Sequence, residues 1–498
     1  MKIKQPSRKK AFLTQAMGGY ILTAIAIVKG LLLLPIYFKF ISYEMYGYWI
    51  TIGGILALLS IINFGIGTMV TQRVSKAYAQ KDFEAVGDYF INSLLIYFFI
   101  AIVFLGVGFL LSHWLQNMLE VSSEQLQLLK TVFYLALLTM LFSFFSNAFR
   151  GFSQALLKPL FGVYVMVGAN FSGIGLVLFF LYNDFGLLSL PISLLITEII
   201  ITVLCGIYVL VLYKQFDIKS KINTKIIKEY FTFSPHLLKL VVGNKLLENS
   251  HPIIITSFLG AEITTAYDVT RKVIDIILKM LNVLNASLLS PFSHLVGEEN
   301  TTLIKRTTIK IVLFSFLVGI IGYSAYITTN SLFVSLWIGQ DIVLSQSVIL
   351  LLGLSAFMFS MNRLFRSLLF GFDELKFATN SVLMEALSYV VLSSIFIGIF
   401  GIITVPFIFL IVSGFFAIRL WNKLATIADI EVSISKVMKY LLMVCMTLVL
   451  VFSMQNILTE ISWVMFVLKV GITILGIMII ELLFNYKYFK KKEIKFGK

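Results

Sequence analysis

The sequence predicts an all-α polytopic membrane protein of about 14 transmembrane helices. Two six-helix halves are expected, related by a pseudo-two-fold axis along the membrane normal, with two extra helices at the C-terminal end. Three observations predict this. The chain is 59% hydrophobic and only 13% charged, where a soluble chain carries about 25% charged residues, and apolar runs of membrane-spanning length recur along it. Its basic residues fall in alternate loops. Two short segments also echo each other at a common offset.

The spans are placed at 12–38, 47–72, 87–112, 127–149, 160–182, 187–213, 235–259, 264–295, 309–330, 345–370, 375–398, 401–421, 437–455 and 462–485. The basic N-terminal stretch MKIKQPSRKKAFLTQ leads into a full apolar span without a small-residue cleavage site, so the first helix is expected to be retained. With that end in the cytoplasm, the inward loops hold Arg73, Lys76 and Lys81; Arg150 and Lys158; Lys214, Lys219, Lys221, Lys225 and Lys228; Lys305, Arg306 and Lys310; Lys376; and Arg419, Lys423 and Lys436. The tail NYKYFKKKEIKFGK is also inward, and Lys39 is the one outward exception. This bias sets both termini in the cytoplasm and assigns the net charge of +15 to membrane anchoring, not to nucleic acid. Cys205 and Cys445 lie inside apolar runs and imply no disulfide framework or zinc site.

GFSQALLKPLFG at Gly151 and GFDELKF at Gly371 are 220 residues apart, and Glu44 and Tyr48 find a loose echo in Glu262 and Tyr267. The implied organisation is a six-helix lobe over 1–213, a basic linker over 214–234, a second six-helix lobe over 235–424, and two helices with a basic tail over 425–498. An even helix number per half gives both the same orientation, the plan of a transporter with a central site. No Walker-type phosphate loop is present, so no nucleotide or other cofactor is expected.

The segment from 243 to 280 carries charge where lipid-facing helices do not. Asp268, Arg271, Lys272, Asp275, Lys279 and Asn282 recur at spacings of three and four, on one helix face. Lys245 and Glu248 are one turn apart in the preceding span. A mid-bilayer charge costs about 2.5–3.5 kcal/mol on insertion scales, so the stripe must face a partner helix or a wet cavity. Internal pairing, as Lys245–Glu248 and Arg271–Asp275, is one reading. The surplus of cations, Lys29, Lys245, Arg271, Lys272 and Lys279, favours an anion, with phosphate the natural fit. Arg363 and Arg366 either join that site or snorkel to the cytoplasmic interface, and Arg73 and Arg150 read as anchors. Glu198 and Glu385, with Glu248 and Asp275, are the acids available to couple an ion; helix contacts are the competing role for the first two. Lys469 and Glu481 read as packing or interface residues. His113, His236, His251 and His294 have no metal spacing, and no catalytic pattern is seen.

The stretch LPIYFKFISYEMYGYWITIGGILALLSIINFGIGTMVTQRVSKAYAQKD resembles the N-terminal signature of the bacterial polysaccharide flippases, in the superfamily of the multidrug extruders and the lipid II flippase. The resembling residues are Pro35, Glu44, Tyr46, Gly47, Trp49, the Asn63-Phe64-Gly65-x-Gly67 run, Gln72 and Arg73, with GFSQALLKP after the fourth span as a second feature. The resemblance implies a flippase for undecaprenyl-pyrophosphate-linked oligosaccharide, a precursor of O-antigen, capsule or exopolysaccharide, in a bacterial plasma membrane. Lys29, Lys245, Arg271, Lys272, Lys279 and Arg363 would then hold pyrophosphate or acidic sugar while the halves alternate access. It implies H+ or Na+ as coupling ion, membrane lipids around the chain and polysaccharide polymerase machinery as partner. A multidrug cation antiporter of the same fold is the alternative, disfavoured by the basic stripe. A membrane glycan polymerase or ligase would want a longer outward loop than any here, and a non-transporting scaffold would not need the charges.

Overall fold

The computed structural model describes residues 8–490 apart from 64–65, 120, 232–234, 432–433, 456 and 458–459. The resembling Phe64 and Gly65 and the side chain of His236 lie outside the described residues. The described chain is helical, with short 3-10 turns and no strand. By contact it divides between Thr264 and Thr265 into two compact units. The lobe boundaries expected from the sequence repeat, 213/214 and 234/235, are drawn by offset and not by contact.

The first unit contains α1 (Arg8–Phe40), α2 (Tyr43–Leu59), α3 (Ile66–Ala79), α4 (Phe83–Leu119), α5 (Ser123–Ala155), α6 (Leu160–Tyr182), α7 (Ser189–Phe216), α8 (Thr224–Phe231) and α9 (Pro235–Leu259). A Ser42 side chain accepting from the Met45 N–H starts α2, and a reciprocal Ser122–Gln125 capping box starts α5. The core lies where α4, α5 and α7 meet. Phe90, Phe152 and Tyr213 pack there, with ring centroids 4.2 Å apart for Phe90–Phe152 and 5.5 Å for Phe152–Tyr213. On α2, Gly54 brings the backbone within reach of α9: an added Cβ would stand 2.9 Å from the Asn249 carbonyl oxygen.

The second unit holds most of α10 (Ala261–Gly297), then α11 (Thr301–Trp337), α12 (Gln346–Gly371), α13 (Leu375–Phe400), α14 (Thr404–Ile427), α15 (Ile434–Gln455) and α16 (Trp463–Lys490). α12 is its hub: 72% of its most apolar window is buried, against 17–22% for the outlying α15 and α16. Large apolar residues exposed on α15 and α16, such as Val449 and Leu483, are where lipid contact is expected.

Among the described residues, eleven stretches are long and apolar enough to cross a membrane, and one of them, Leu375–Ile427, contains both α13 and α14. The charged α9 and α10, 25 and 37 residues long, complete the fourteen spans read from the sequence. One expectation changes. The second span is not one helix: it is broken into α2, a 3-10 turn over Ser60–Asn63, and α3. The basic linker contains α8.

The repeat is sharper in the backbone than in the side chains. Left-handed residues recur at matching helix ends: Lys81 and Glu299, 218 apart; Leu157 and Asp373, 216 apart; Gly186 and Gly401, 215 apart; Asp217 and Asp429, 212 apart. Each marks a chain reversal that L-residues avoid without need. At Gly186 and Gly401 the local sequences are FGLLSLP and FGIITVP. The offset is therefore 212–218 rather than the 220 suggested by Gly151 and Gly371, and it pairs the helices residue by residue. From Tyr43 to Ala79 the first repeat is interrupted; its counterpart, α10 from Ala261 to Gly297, is the same 37 residues long and unbroken.

Candidate functional site

In the first unit, Lys29 on α1 and Lys245 and Glu248 on α9 are partly buried. Pro252 lies inside α9 and removes one backbone donor there. Its own carbonyl faces the Thr51 hydroxyl at 3.4 Å. Thr51 and Thr256 hydroxyls are 2.5 Å apart, and Thr256 meets the Thr264 hydroxyl at 2.6 Å. These three buried threonines form a hydroxyl chain across the α2–α9 packing. The sequence reading did not single them out, because a threonine in an apolar span carries no signal until its neighbour is known.

In the second unit, the α10 stripe is partly self-neutralised. Arg271 Nε donates to Asp275 Oδ1 at 3.2 Å, and Lys272 Nζ stands 2.6 Å from Asp268 Oδ2, both one turn apart. The Arg271–Asp275 pairing foreseen from spacing is present, and Lys272–Asp268 adds a second. Lys279 is exposed, and the stripe keeps one net positive charge from residues 268 to 279. Around Arg271 the structure gathers the buried phenols of Tyr267 and Tyr389 with Asp268 and Asp275. Tyr326, also buried, donates to the Thr270 carbonyl at 3.2 Å, fixing α11 against α10. Tyr267 was legible in principle, being one turn before Arg271; Tyr389 comes from α13 and is placed only by the fold.

The first repeat has no such stripe. At the 218-residue offset, Asp268, Arg271, Lys272, Asp275 and Lys279 correspond to Ile50, Gly53, Gly54, Ala57 and Ile61. Charge is thus concentrated on one of two equivalent helices. Packing symmetry does not require that, which points to a task beyond folding.

Two of the acids named as ion-coupling candidates, Glu385 and Glu198, are engaged in contacts between helices. Glu385 on α13 pairs with Arg366 on α12, accepts from Asn362 Nδ2 at 3.0 Å and from the Ser413 hydroxyl at 2.8 Å. Arg366 is only 3% exposed. Of the two readings offered for it, snorkelling to the interface is therefore corrected, because the glutamate partner is supplied at depth. Arg363, one turn earlier, stacks over the Phe359 ring at 5.4 Å. In the first unit Glu198 on α7 accepts from the Ser146 hydroxyl on α5, while Arg150 donates to Asn147 and lies within electrostatic reach of Glu198. That also corrects Arg150 as a simple interfacial anchor. Arg73 pairs with Glu229 at 2.5 Å. Lys469 is buried and donates to the Gln455 carbonyl at 3.3 Å, a contact between α16 and the end of α15. Among the described residues no group of three His, Cys, Asp or Glu is arranged to hold a metal ion.

A profile of the MatE family matches residues 50–181. No curated protein matches the chain. Among solved structures, the lipid II flippase MurJ in an inward closed conformation is similar at a TM-score of 0.74 and 14% identity, over 96% of this chain and 100% of that one. An inward-facing multidrug resistance MATE family transporter of the MOP superfamily is similar at 0.66 and 12% identity, over 85% of this chain and 100% of its own. A MOP superfamily transporter from Pyrococcus furiosus, whose title speaks of a binding pocket of reversed polarity, is similar at 0.57 and 13% identity, over 85% and 97%. At these identities it is the architecture that is shared: the chain has the fold of the lipid II flippase and the MATE transporters.

Proposed function

We propose that this protein is a flippase that moves an anionic, lipid-linked oligosaccharide, of the undecaprenyl-pyrophosphate class, from the cytoplasmic to the outer face of a bacterial plasma membrane by alternating access. The observation that carries this reading is the one-sided charge of α10. A stripe placed where the equivalent helix has glycine, alanine and isoleucine answers to a ligand, and its net sign suits phosphate. Lys29, Lys245, Arg271, Lys272, Lys279 and Arg363 are the proposed ligand residues. The two carboxylates in the stripe keep the cations charged and oriented at moderate cost, since a paired charge is cheaper to hold in a membrane than a lone one.

The likeness to the lipid II flippase extends over 96% of the chain, that to the MATE transporters over 84–85%. The difference favours a flippase over a cation extruder, as does the basic stripe. Glu248 and Asp275, the acids beside the proposed cations, are the first candidates for an H+ or Na+ relay, with Glu198 and Glu385 after them. Both termini are proposed to be cytoplasmic, and polysaccharide polymerase machinery is the proposed partner on the outer side.

The test is deletion of the gene with surface polysaccharide and lipid-linked oligosaccharide measured together. Loss of the surface polymer with lipid-linked units accumulating on the cytoplasmic face is the expected result. Unchanged glycan with raised sensitivity to cationic drugs would replace this reading with the extruder.

A further inference from the structure

The linker between α7 and α9 is held in place by its backbone, not by its lysines. The Lys221 N–H donates to Asp88 Oδ1 at 2.6 Å, Asn92 Nδ2 donates to the Lys221 carbonyl at 2.9 Å, and the Asn223 N–H donates to Asn92 Oδ1 at 2.9 Å. Gly87 lies so close to the Lys219 carbonyl that any side chain there would displace it. Further on, Arg73 pairs with Glu229, and the Tyr230 hydroxyl donates to the Tyr89 carbonyl at 3.1 Å. Burial pushes the Tyr230 phenol above its ordinary range, so it stays a donor.

This arrangement has a consequence for charge. The residues that fasten the linker to α3 and α4 use its main chain and its one inward acid, so the lysine side chains are turned out. Lys214, Lys219, Lys221, Lys225 and Lys228 are all exposed, and Ile222, 65% exposed, stands among them. Asp217 is the exposed acid of the stretch. A docked, predominantly basic ribbon with an apolar residue at its centre, directly following the last turn of a membrane-spanning helix, is complementary to an anionic bilayer surface.

We infer that the linker from Lys214 to Lys228 is a docking surface for anionic phospholipid headgroups of the leaflet it borders, with Ile222 entering the headgroup layer. Placing charge in water explains exposed lysines alone. It does not explain a backbone clamp that presents five of them together around an exposed isoleucine. Each lysine near an anionic surface strengthens binding by about five-fold at low salt. Replacing four should therefore weaken it by roughly several hundred-fold at low salt, less as ionic strength rises.

The experiment uses the full chain in nanodiscs of phosphatidylcholine alone and of an equimolar mixture with phosphatidylglycerol. Both bilayer faces are open there, so the outcome depends neither on transport nor on orientation. Amide exchange of residues 217–231 is followed in the wild-type chain, in a K219Q/K221Q/K225Q/K228Q variant and in the matching four-arginine variant. Exchange should slow several-fold with phosphatidylglycerol in the wild type and the arginine variant, and not in the glutamine variant. Equal exchange in both lipids for the wild type would overturn the proposal. So would an unchanged response in the glutamine variant.

Discussion

Arg150 and Arg366 occupy the same place in the two repeats: each follows a phenylalanine near the end of the first of three packed helices, 216 residues apart. Each lies near one glutamate, but the glutamate has changed helix. Glu385, on the second helix of its triple, corresponds at the 215 offset to Asn170; Glu198, on the third, corresponds to Ser413. The partner in each case is a small polar residue, Ser146 for Glu198 and Asn362 and Ser413 for Glu385. Both guanidinium Nε atoms are buried without a hydrogen-bond partner in the described structure, as is Arg366 Nη1. The repeats thus meet one requirement, neutralising an arginine whose Nε is buried among three helices, with the acid on different elements.

This swap makes a direct prediction. Glu385→Asn leaves Arg366 uncompensated and should destabilise by about 3–5 kcal/mol, as for other broken buried pairs. Adding Ser413→Glu transposes the first repeat's arrangement and should recover much of that loss. Thermal unfolding in detergent measures both. A double variant no more stable than the single would show that the two centres are not interchangeable.

Lys279 separates ligand binding from folding. It is the stripe's exposed cation, so Lys279→Ala should lower glycan export several-fold while the unfolding midpoint stays within a degree or two of wild type, since exposed substitutions change stability by about 0.5 kcal/mol or less. Lys279→Arg should retain export. Arg271→Ala removes the partner of Asp275 and should depress stability as well as export. Normal surface glycan in alanine variants of Lys245, Arg271 and Lys279 alike would remove the anion-binding reading of the stripe.

The α2–α9 packing should open during transport. Thr51 and Thr256 have hydroxyls 2.5 Å apart, which brings their Cβ atoms into the range a disulfide needs. In a chain with Cys205 and Cys445 replaced by serine, T51C/T256C should cross-link under mild oxidation and stop export until reductant is added. Continued export by the fully cross-linked protein would mean that these helices move as one body.

Gly54 tests the same contact without chemistry. Gly54→Ala places a Cβ 2.9 Å from the Asn249 carbonyl oxygen, so α2 and α9 must part by several tenths of an ångström. Cross-linking of the cysteine pair should slow in that background. Gly53→Ala, which meets nothing within 4 Å, is the matched control and should cross-link at the original rate.

The sequence by itself determined the class, the span count and the charged helix. Apolar run length and the polarity of alternate loops are one-dimensional properties, because the bilayer imposes length and charge bias on every span separately. It also offered the Arg271–Asp275 pair as one of two readings, since one helical turn suffices to bring them together. Only the tertiary structure decided what the buried charges meet. Arg366 was readable as an interfacial residue until α13 supplied Glu385 beside it, from 19 positions away. Thr51 meets Thr256 across 205 positions, a relation no local spacing encodes. The repeat lay between these cases. Its side chains have diverged, so residue matching gave an offset of 220, whereas the left-handed turns held the register at 212–218. Backbone reversals must recur for two halves to fold alike, while the side chains between them need only neutralise what they bury.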